Sequence, residues 1–392
     1  MKYLGLIPGK QKNVGDQEYG WDYGRMTLDG KKYIDPMLNF GCYTLGYGQM
    51  EIMNYVHNNM CIKPEIAENF FDSQPIELNN ATFKLAKTLR AITSTTTTCT
   101  DCGDGRKIPV KYRSIFALSG SDAVEGAVKL ASAYQQEVGS PQRNKIVVFR
   151  DSYHGSTLLT QSMGDGLFGD PFYTMSPCEN IMRLPIEFVV DNHNWDDVMC
   201  VVVETCPYVR GIRPHTEEFW KKIRDIQDRG VLVIVDDIFT GGGKTGTFVG
   251  WKRLPVAPDI FTMGKAITGG YFPLSITLYN DKIHNALPRE FDWEHGFTYS
   301  FSLPGILSCL AYIKILKDDN LMDKHRDIVV RAVDLFKALG YNVRGQFGTI
   351  IEIEREHKGM YTIPINANDE YFYFLEQQLK CCLLYTSPSP RD

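Results

Sequence analysis

A carboxylate at the end of an apolar strand and a lone lysine one crossover later are the residues of this chain best placed to do chemistry. They lie in residues 231–265, VLVIVDDIFTGGGKTGTFVGWKRLPVAPDIFTMGK, as Asp236 and Lys265. The run ending at Asp236 is continuous in β-branched and leucine side chains, the pattern of a strand buried on both faces of a parallel sheet. Open α/β sheets hold their ligands at the carboxyl ends of such strands. A carboxylate buried there needs a cationic partner or a proton. A protonated pyridine nitrogen supplies the first, and Lys265 can form a Schiff base with an aldehyde on the same ring. That pairing is the minimal apparatus of a pyridoxal phosphate site. A helix cap at Asp236 and a surface lysine at 265 are the plainer account, which this stretch taken alone leaves open.

Two further stretches could serve the same chemistry. Leu118-Ser119-Gly120-Ser121-Asp122 follows an apolar run and opens a helical pattern. Backbone N–H groups at a helix start bind phosphate; Gly120 allows close approach and Ser121 adds a hydroxyl. A simple serine cap is the competing account. Phe149-Arg150-Asp151-Ser152-Tyr153-His154-Gly155-Ser156-Thr157 ends the next strand. Tyr153 could stack on one face of a pyridine ring, and Ile238 could cover the other. Glu204 ends a strand beside that of Asp236 and could orient the site through hydrogen bonds. Two rival motifs fail. A phosphate-binding P-loop at Gly243-Lys244-Thr245 needs glycine where Ile238 stands and a helix opening at the lysine. Cys99 and Cys102 have the spacing of half a zinc site without its second half, so no metal is expected.

The elements that must position these residues read as strands and helices in alternation. Strands are expected at 114–118, 145–149, 199–204, 231–236 and 273–279, and helices at 49–59, 80–92, 122–134, 216–228, 306–316 and 324–339. Such alternation implies an α/β fold whose central sheet is mostly parallel and flanked by helices. Residues 26–40 alternate in polarity around an Asp29-Gly30 hairpin signal, and two strands near 341–344 and 349–353 suggest a smaller α+β domain. The expected division is 1–48 as the N-terminal part of the small domain and 49–295 as the large domain, with a polar insertion at 94–112. The rest of the small domain falls in 296–381, truncated at its end. Residues 382–392, CLLYTSPSPRD, equal one reading frame of a transposon-derived sequencing adapter and are expected to be an artefact.

Composition narrows the function. A net charge of −5 without a basic stripe argues against nucleic acid. No apolar run approaches the roughly 20 residues that cross a bilayer, and the first residues lack the apolar core of a signal peptide. The 10 cysteines then read as reduced thiols of a cytoplasmic enzyme.

Taken together, the motifs resemble the class III (ω-type) aminotransferases of the fold type I pyridoxal phosphate enzymes. SGSDAVEGAVKLA from Ser119, YHGST from Tyr153, VVVET from Val201, VDDIFTGGGKTG from Val235, APDIFTMGKAITGG from Ala257 and HGFTYS from His295 match in the family's order, across 33–310. The resemblance implies Lys265 as Schiff-base lysine and proton carrier, with Asp236 on the pyridinium nitrogen. It implies Gly120 and Ser121 at the phosphate, and Tyr153, His154, Glu204 and Ile238 around the ring. Thr298 matches a threonine that reaches the phosphate of a neighbouring subunit, which implies a homodimer. Phe40, Tyr153 and Gly296 fall at substrate positions. The implied activity is transfer of an amino group from an amine or amino-acid donor to an oxo acceptor, with ping-pong kinetics. Within the family, LSITL from Leu274 and the 35–47 segment look most like diaminopelargonate synthases of biotin biosynthesis. The aromatic pair of those enzymes, however, reads Phe40-Gly41 here. Asp236-Asp237 and Lys244 also stand where the family has Asp-Glu and an arginine. An aminomutase of the same fold and an inactive fragment are the alternatives.

Overall fold

The computed structural model describes residues 19–22, 25–28, 31–60, 76–98, 107–165, 179–209, 211–288, 295–354 and 358–380. The Asp29-Gly30 turn, Cys99, Cys102 and the tail 382–392 lie outside them. Strands β1 (Tyr19–Asp22), β2 (Arg25–Leu28) and β3 (Lys31–Ile34) form an antiparallel sheet in which Leu28 faces Lys31. The next element, α1 (Leu38–Gly41), winds left-handed, with φ of 46, 50, 54 and 77°. Left-handed backbone costs an L-residue about 1–2 kcal/mol, so other contacts must hold it. Asp35 accepts from the N–H groups of Met37 at 2.9 Å and Asn39 at 3.2 Å, and Lys244 Nζ donates to the Gly41 carbonyl at 3.2 Å.

Helices α2 (Met50–Asn59) and α3 (Ile76–Thr93) lead to a hairpin of β4 (Thr95–Thr98) and β5 (Lys107–Val110). The polar insertion is therefore a hairpin. It ends before Tyr112, which is fully buried in the first strand of the main sheet.

That sheet contains β6 (Tyr112–Ala117), β7 (Lys145–Phe149), β8 (Ile181–Leu184), β9 (Val198–Glu204), β10 (Leu232–Asp236), β11 (Ile260–Met263) and β12 (Ser275–Asn280). Their spatial order is β6-β12-β11-β10-β9-β7-β8. All run parallel except β12, which is antiparallel to both its neighbours. Alternate residues of each strand enter different cores. Val147, Val201, Val203, Val233 and Val235 join one cluster, and Ile146, Val148, Val202 and Ile234 join the other. Each such side chain contributes roughly 1.5–3 kcal/mol on burial, and both faces must be covered, as the unbroken apolar runs require. Helix α4 (Gly120–Glu137) packs on the second face, while α6 (Glu217–Asp228), capped by Thr216 Oγ1 on the Phe219 N–H, supplies Phe219 and Trp220 to the first. Short helices α5 (Leu158–Met163) and α7 (Asp281–Ala286) follow β7 and β12.

Helix α8 (Leu303–Asp318) is buried along most of its length and packs on α2, α3 and the turn at 265–268. It therefore shares the core of the main sheet. Helix α9 (Leu321–Ala338), the antiparallel sheet of β13 (Asn342–Phe347), β14 (Ile350–Glu354) and β15 (Lys358–Thr362), and α10 (Asp369–Lys380) build a third cluster. Ile34 joins that cluster, and its N–H donates to Gln378 Oε1 at 2.6 Å. Segments from both ends of the chain thus pack together.

Candidate active site

Three adjacent strand ends build the site. In register, Glu204 of β9 lies beside Asp236 of β10, which lies beside Thr262 of β11. Lys265 follows two residues past β11, at the start of a 3-10 turn, with φ of 51°. A non-glycine residue in this left-handed region is strained, and such strain persists only where the surroundings fix it. Lys265 Nζ lies 4.8 Å from the ring centroid of Phe239 and 5.5 Å from that of Tyr208. Burial pushes its pKa down, opposed by the charges of Cys42, Asp236 and Glu204.

Asp236 is held from several sides. Its Oδ1 accepts from the Ile238 N–H at 3.1 Å and from Thr262 Oγ1 at 3.4 Å, and its Oδ2 lies 3.0 Å from His154 Nδ1. The far nitrogen of that ring, His154 Nε2, is buried with no hydrogen-bond partner among the described residues. Burial, and then the charge of Asp236, raise the Glu204 pKa well above the usual carboxylate range; its Oε1 accepts from the Tyr153 N–H at 2.9 Å. Asp237 turns the other way. It accepts from Thr240 Oγ1 at 2.5 Å, the Gly250 N–H at 2.6 Å and Thr205 Oγ1 at 2.8 Å, fastening the loops that follow β9 and β10. Burial nevertheless pushes its pKa up to about 6.

Opposite lies the start of α4. Ser119 Oγ caps the Asp122 N–H at 3.2 Å, and Ser121 Oγ accepts from the Ser156 N–H at 3.0 Å, joining the β6–α4 turn to the turn after Tyr153. Side chains are excluded at two places here. A Cβ on Gly120 would stand 2.9 Å from Ile238 Cδ1, and one on Gly155, whose φ is +138°, would collide with Ser121 Oγ and Thr160 Oγ1. The start of a helix with glycine beside it admits an anion close to the backbone.

These groups line one cleft of about 150 Å³. Of the residues singled out in the sequence, Gly120, Ser121, Tyr153, His154, Glu204, Asp236, Ile238 and Lys265 all border it. Phe40, Gly296 and Thr298 do not: Phe40 is half-buried in the left-handed turn, and Gly296 and Thr298 are exposed. Gly155, Tyr208 and Phe239 line the cleft without having been foreseen. Gly155 lay inside a recognised motif, and Phe239 is one residue past Ile238. Tyr208 carried no signal, because the loop after β9 shows no spacing that aims it inward.

The chain has counterparts among known proteins. Residues 25–373 match the family model described as aminotransferase class-III. A [LysW]-aminoadipate semialdehyde/glutamate semialdehyde transaminase of Sulfurisphaera tokodaii is 29% identical over 335 residues, covering 83% of this chain and 75% of its own. An adenosylmethionine-8-amino-7-oxononanoate aminotransferase of Aquifex aeolicus is 26% identical over 340 residues, covering 79% and 69%. Among solved structures, an amine transaminase from an uncultivated Pseudomonas species in its PLP-bound form superposes with a TM-score of 0.77 at 19% identity, over 97% of this chain and 98% of that one. The chain belongs to the class III aminotransferases. It has the fold type I architecture, a mostly parallel central sheet flanked by helices, and is an enzyme that transfers amino groups with pyridoxal phosphate as cofactor.

The cleft fits that cofactor. It offers one amine, a carboxylate for a pyridinium nitrogen, a helix start for a phosphate and apolar side chains for the ring faces. The unpartnered His154 Nε2 beside Asp236 also calls for a ligand.

Proposed function

We propose that Lys265 is the lysine that bonds the cofactor and carries the proton during transamination, with Asp236 on the pyridinium nitrogen. When bound, pyridoxal phosphate supplies the electron sink that makes the hydrogen beside the substrate amine acidic. Lys265 Nζ is the base that takes this proton and the acid that returns it. Asp236, fixed at the cleft floor by Ile238 N–H, Thr262 and His154, is the carboxylate that would hold the ring nitrogen. Gly120, Ser121 and the start of α4 take the phosphate. Tyr153 and Ile238 cover the ring, and Glu204 fixes the Tyr153 backbone. The observation that carries this reading is the convergence of Lys265, Asp236 and the α4 start on one cleft.

The same reading makes the enzyme a homodimer, with Thr298 reaching the partner's phosphate and Phe40, Tyr153 and Gly296 facing substrate. Phe297, Tyr299 and Phe301, which flank Thr298, are 57, 71 and 42% exposed and offer a second copy an apolar surface. The two-domain division, with the small domain drawn from 1–48 and 296–381, is supported by Ile34 packing with α9 and α10; α8 sides with the large domain. A cytoplasmic setting suits Cys42, Cys200, Cys206 and Cys309, all free thiols. The described helices include none long and apolar enough to cross a membrane.

For substrates we favour a small amine or ω-amino acid as donor and an oxo acid or aldehyde as acceptor. Diaminopelargonate synthesis is the first pair to try, because the 35–47 segment and LSITL resemble those enzymes. The test is an absorbance spectrum of the protein with pyridoxal phosphate before and after borohydride, with the labelled peptide mapped. A reduced adduct on Lys265, and a visible band bleached by the donor amine, are expected. An adduct elsewhere would overturn the assignment.

A further inference from the structure

The segment 295–301, which carries Thr298, is held by the same β6–α4 unit that leads into the cleft. His295 Nε2 donates to the Asp122 carbonyl at 3.2 Å and stands 2.8 Å from Asp122 Oδ1. Asp122 is buried, and its Oδ1 has no other partner among the described residues. The second carboxylate oxygen, Oδ2, accepts from the Leu118 N–H at 2.8 Å, across the turn that places Gly120 and Ser121. Room for the imidazole comes from a glycine inside α4: a Cβ on Gly126 would stand 3.1 Å from His295 Nε2 and Cδ2. Helix formation disfavours glycine at such a position, and the seat of the ring accounts for it. At the other end of the segment, Phe301 makes a T-shaped contact with Phe116 of β6, the centroids 6.0 Å apart. Between these anchors the chain turns on itself. The Phe297 N–H donates to Ser300 Oγ and the Ser300 N–H to the Phe297 carbonyl, both at 2.9 Å. Thr298 is thereby presented outward, exposed and outside the lining of its own cleft.

We propose that His295 and Asp122 are positioning residues that fasten the Thr298 segment to the start of α4. The phosphate turn of one subunit and the threonine it lends to its partner are then held as one body. The inference rests on the homodimer reading, in which Thr298 reaches the partner's phosphate. Asp122 serves both sides of the joint: one carboxylate oxygen fixes the turn after β6, and the other meets the ring that opens the segment. A hydroxyl fixed before binding gives up less conformational freedom on contact, and the affinity for phosphate gains the difference. Without the His295 anchor, Thr298 would have to be ordered by the phosphate itself.

The test compares two ligands of the whole chain stripped of cofactor: pyridoxal phosphate, and pyridoxal, which has the same ring and aldehyde and no phosphate. The dissociation constant for pyridoxal divided by that for pyridoxal phosphate, from absorbance titrations of the dimer, reads what the phosphate contributes. Thr298→Val, which loses the hydroxyl and keeps the shape, is expected to lower that ratio about tenfold, the low end for a hydrogen bond to a charged group. His295→Ala should lower it by a similar factor with pyridoxal affinity unchanged. His295→Gln, whose amide can still donate to Asp122, should recover most of it. With His295→Ala and Thr298→Val combined, the ratio should fall no further than with Thr298→Val alone. An unchanged ratio in His295→Ala, a loss shared equally by pyridoxal, or additive effects in the double variant would overturn the proposal and leave Thr298 its role. A chain that stays monomeric with cofactor, or an unchanged ratio in Thr298→Val, would overturn the homodimer reading and this proposal with it.

Discussion

At the residue scale, the working pair is separated by what each can lose. Lys265→Ala removes the only nucleophile that the proposed route uses, so covalent cofactor capture and transamination should both fall to background; turnover in rate assays of the purified variant would contradict the assignment. Asp236→Asn keeps the shape and removes the carboxylate proposed to hold the ring nitrogen protonated. We expect single-turnover proton abstraction to slow by about 10²–10³-fold, in the range seen when one preorganised electrostatic group is removed. Both residues were legible in the sequence. An unbroken apolar run announced the strand, and its last residue was a carboxylate that needed a partner. His154 was legible only through the family match, since nothing in its spacing says that Nδ1 meets Asp236 at 3.0 Å. Tyr208 was not legible, because its place depends on how the loop after β9 folds against β14 and its neighbours. Asp237, which stands where the family pattern has Glu, accepts hydrogen bonds from Thr205, Thr240 and Gly250 that join the loops after β9 and β10.

At the scale of elements, the alternating strands and helices were legible and their order in space was not. Burial on both faces dictates the same apolar composition whether a strand runs parallel or antiparallel, so 273–279 gave no warning that β12 runs against its neighbours. Strand β11 was missed because it is only four residues long. The turn after β7, fastened to the β6–α4 turn by the Ser156 N–H on Ser121 Oγ, is where element geometry controls the site. Gly155→Ala places a methyl against Ser121 Oγ and Thr160 Oγ1, at a φ that alanine avoids. Equilibrium titration should show pyridoxal phosphate bound at least about tenfold more weakly, a ratio equal to roughly 1.4 kcal/mol. Unchanged affinity would mean that this turn is not part of the phosphate cradle. At Thr216, loss of the α6 cap should cost about 1 kcal/mol of stability without touching the cleft.

At the scale of the whole molecule, one buried lysine ties the N-terminal segment to the loop after β10. Lys244 is fully buried with Nζ on the Gly41 carbonyl, and burial pushes its pKa down to about 7. The folded enzyme therefore releases a proton that the unfolded chain keeps until its ordinary value of 10.5. Between those limits the unfolded state binds more protons, so this group makes stability rise with pH, by about 1.4 kcal/mol per unit at full effect, and lowers it as pH falls toward 7. Denaturant titrations of the native enzyme and Lys244→Met across pH 7–10 should differ by that slope; parallel curves would show that the lysine is not buried as a base. The proposed self-association belongs to this scale too. Tyr299→Glu, placed in the exposed aromatic run around Thr298, should shift sedimentation toward the monomer.

The reversed strand has a consequence for how the enzyme comes to exist. Among the described strands, β6 lies at the sheet edge and pairs with β12 alone, Ala117 facing Ser275. During synthesis, then, the strand that leads into the proposed phosphate turn has no sheet partner until the chain has grown past Asn280. Closing so long a loop costs entropy that must be met before the pairing returns anything. The strands that carry Glu204, Asp236 and the approach to Lys265 can assemble beforehand as neighbours. The carboxylates of the cleft floor are thus laid down early, while the proposed phosphate turn waits for the last strand of the sheet.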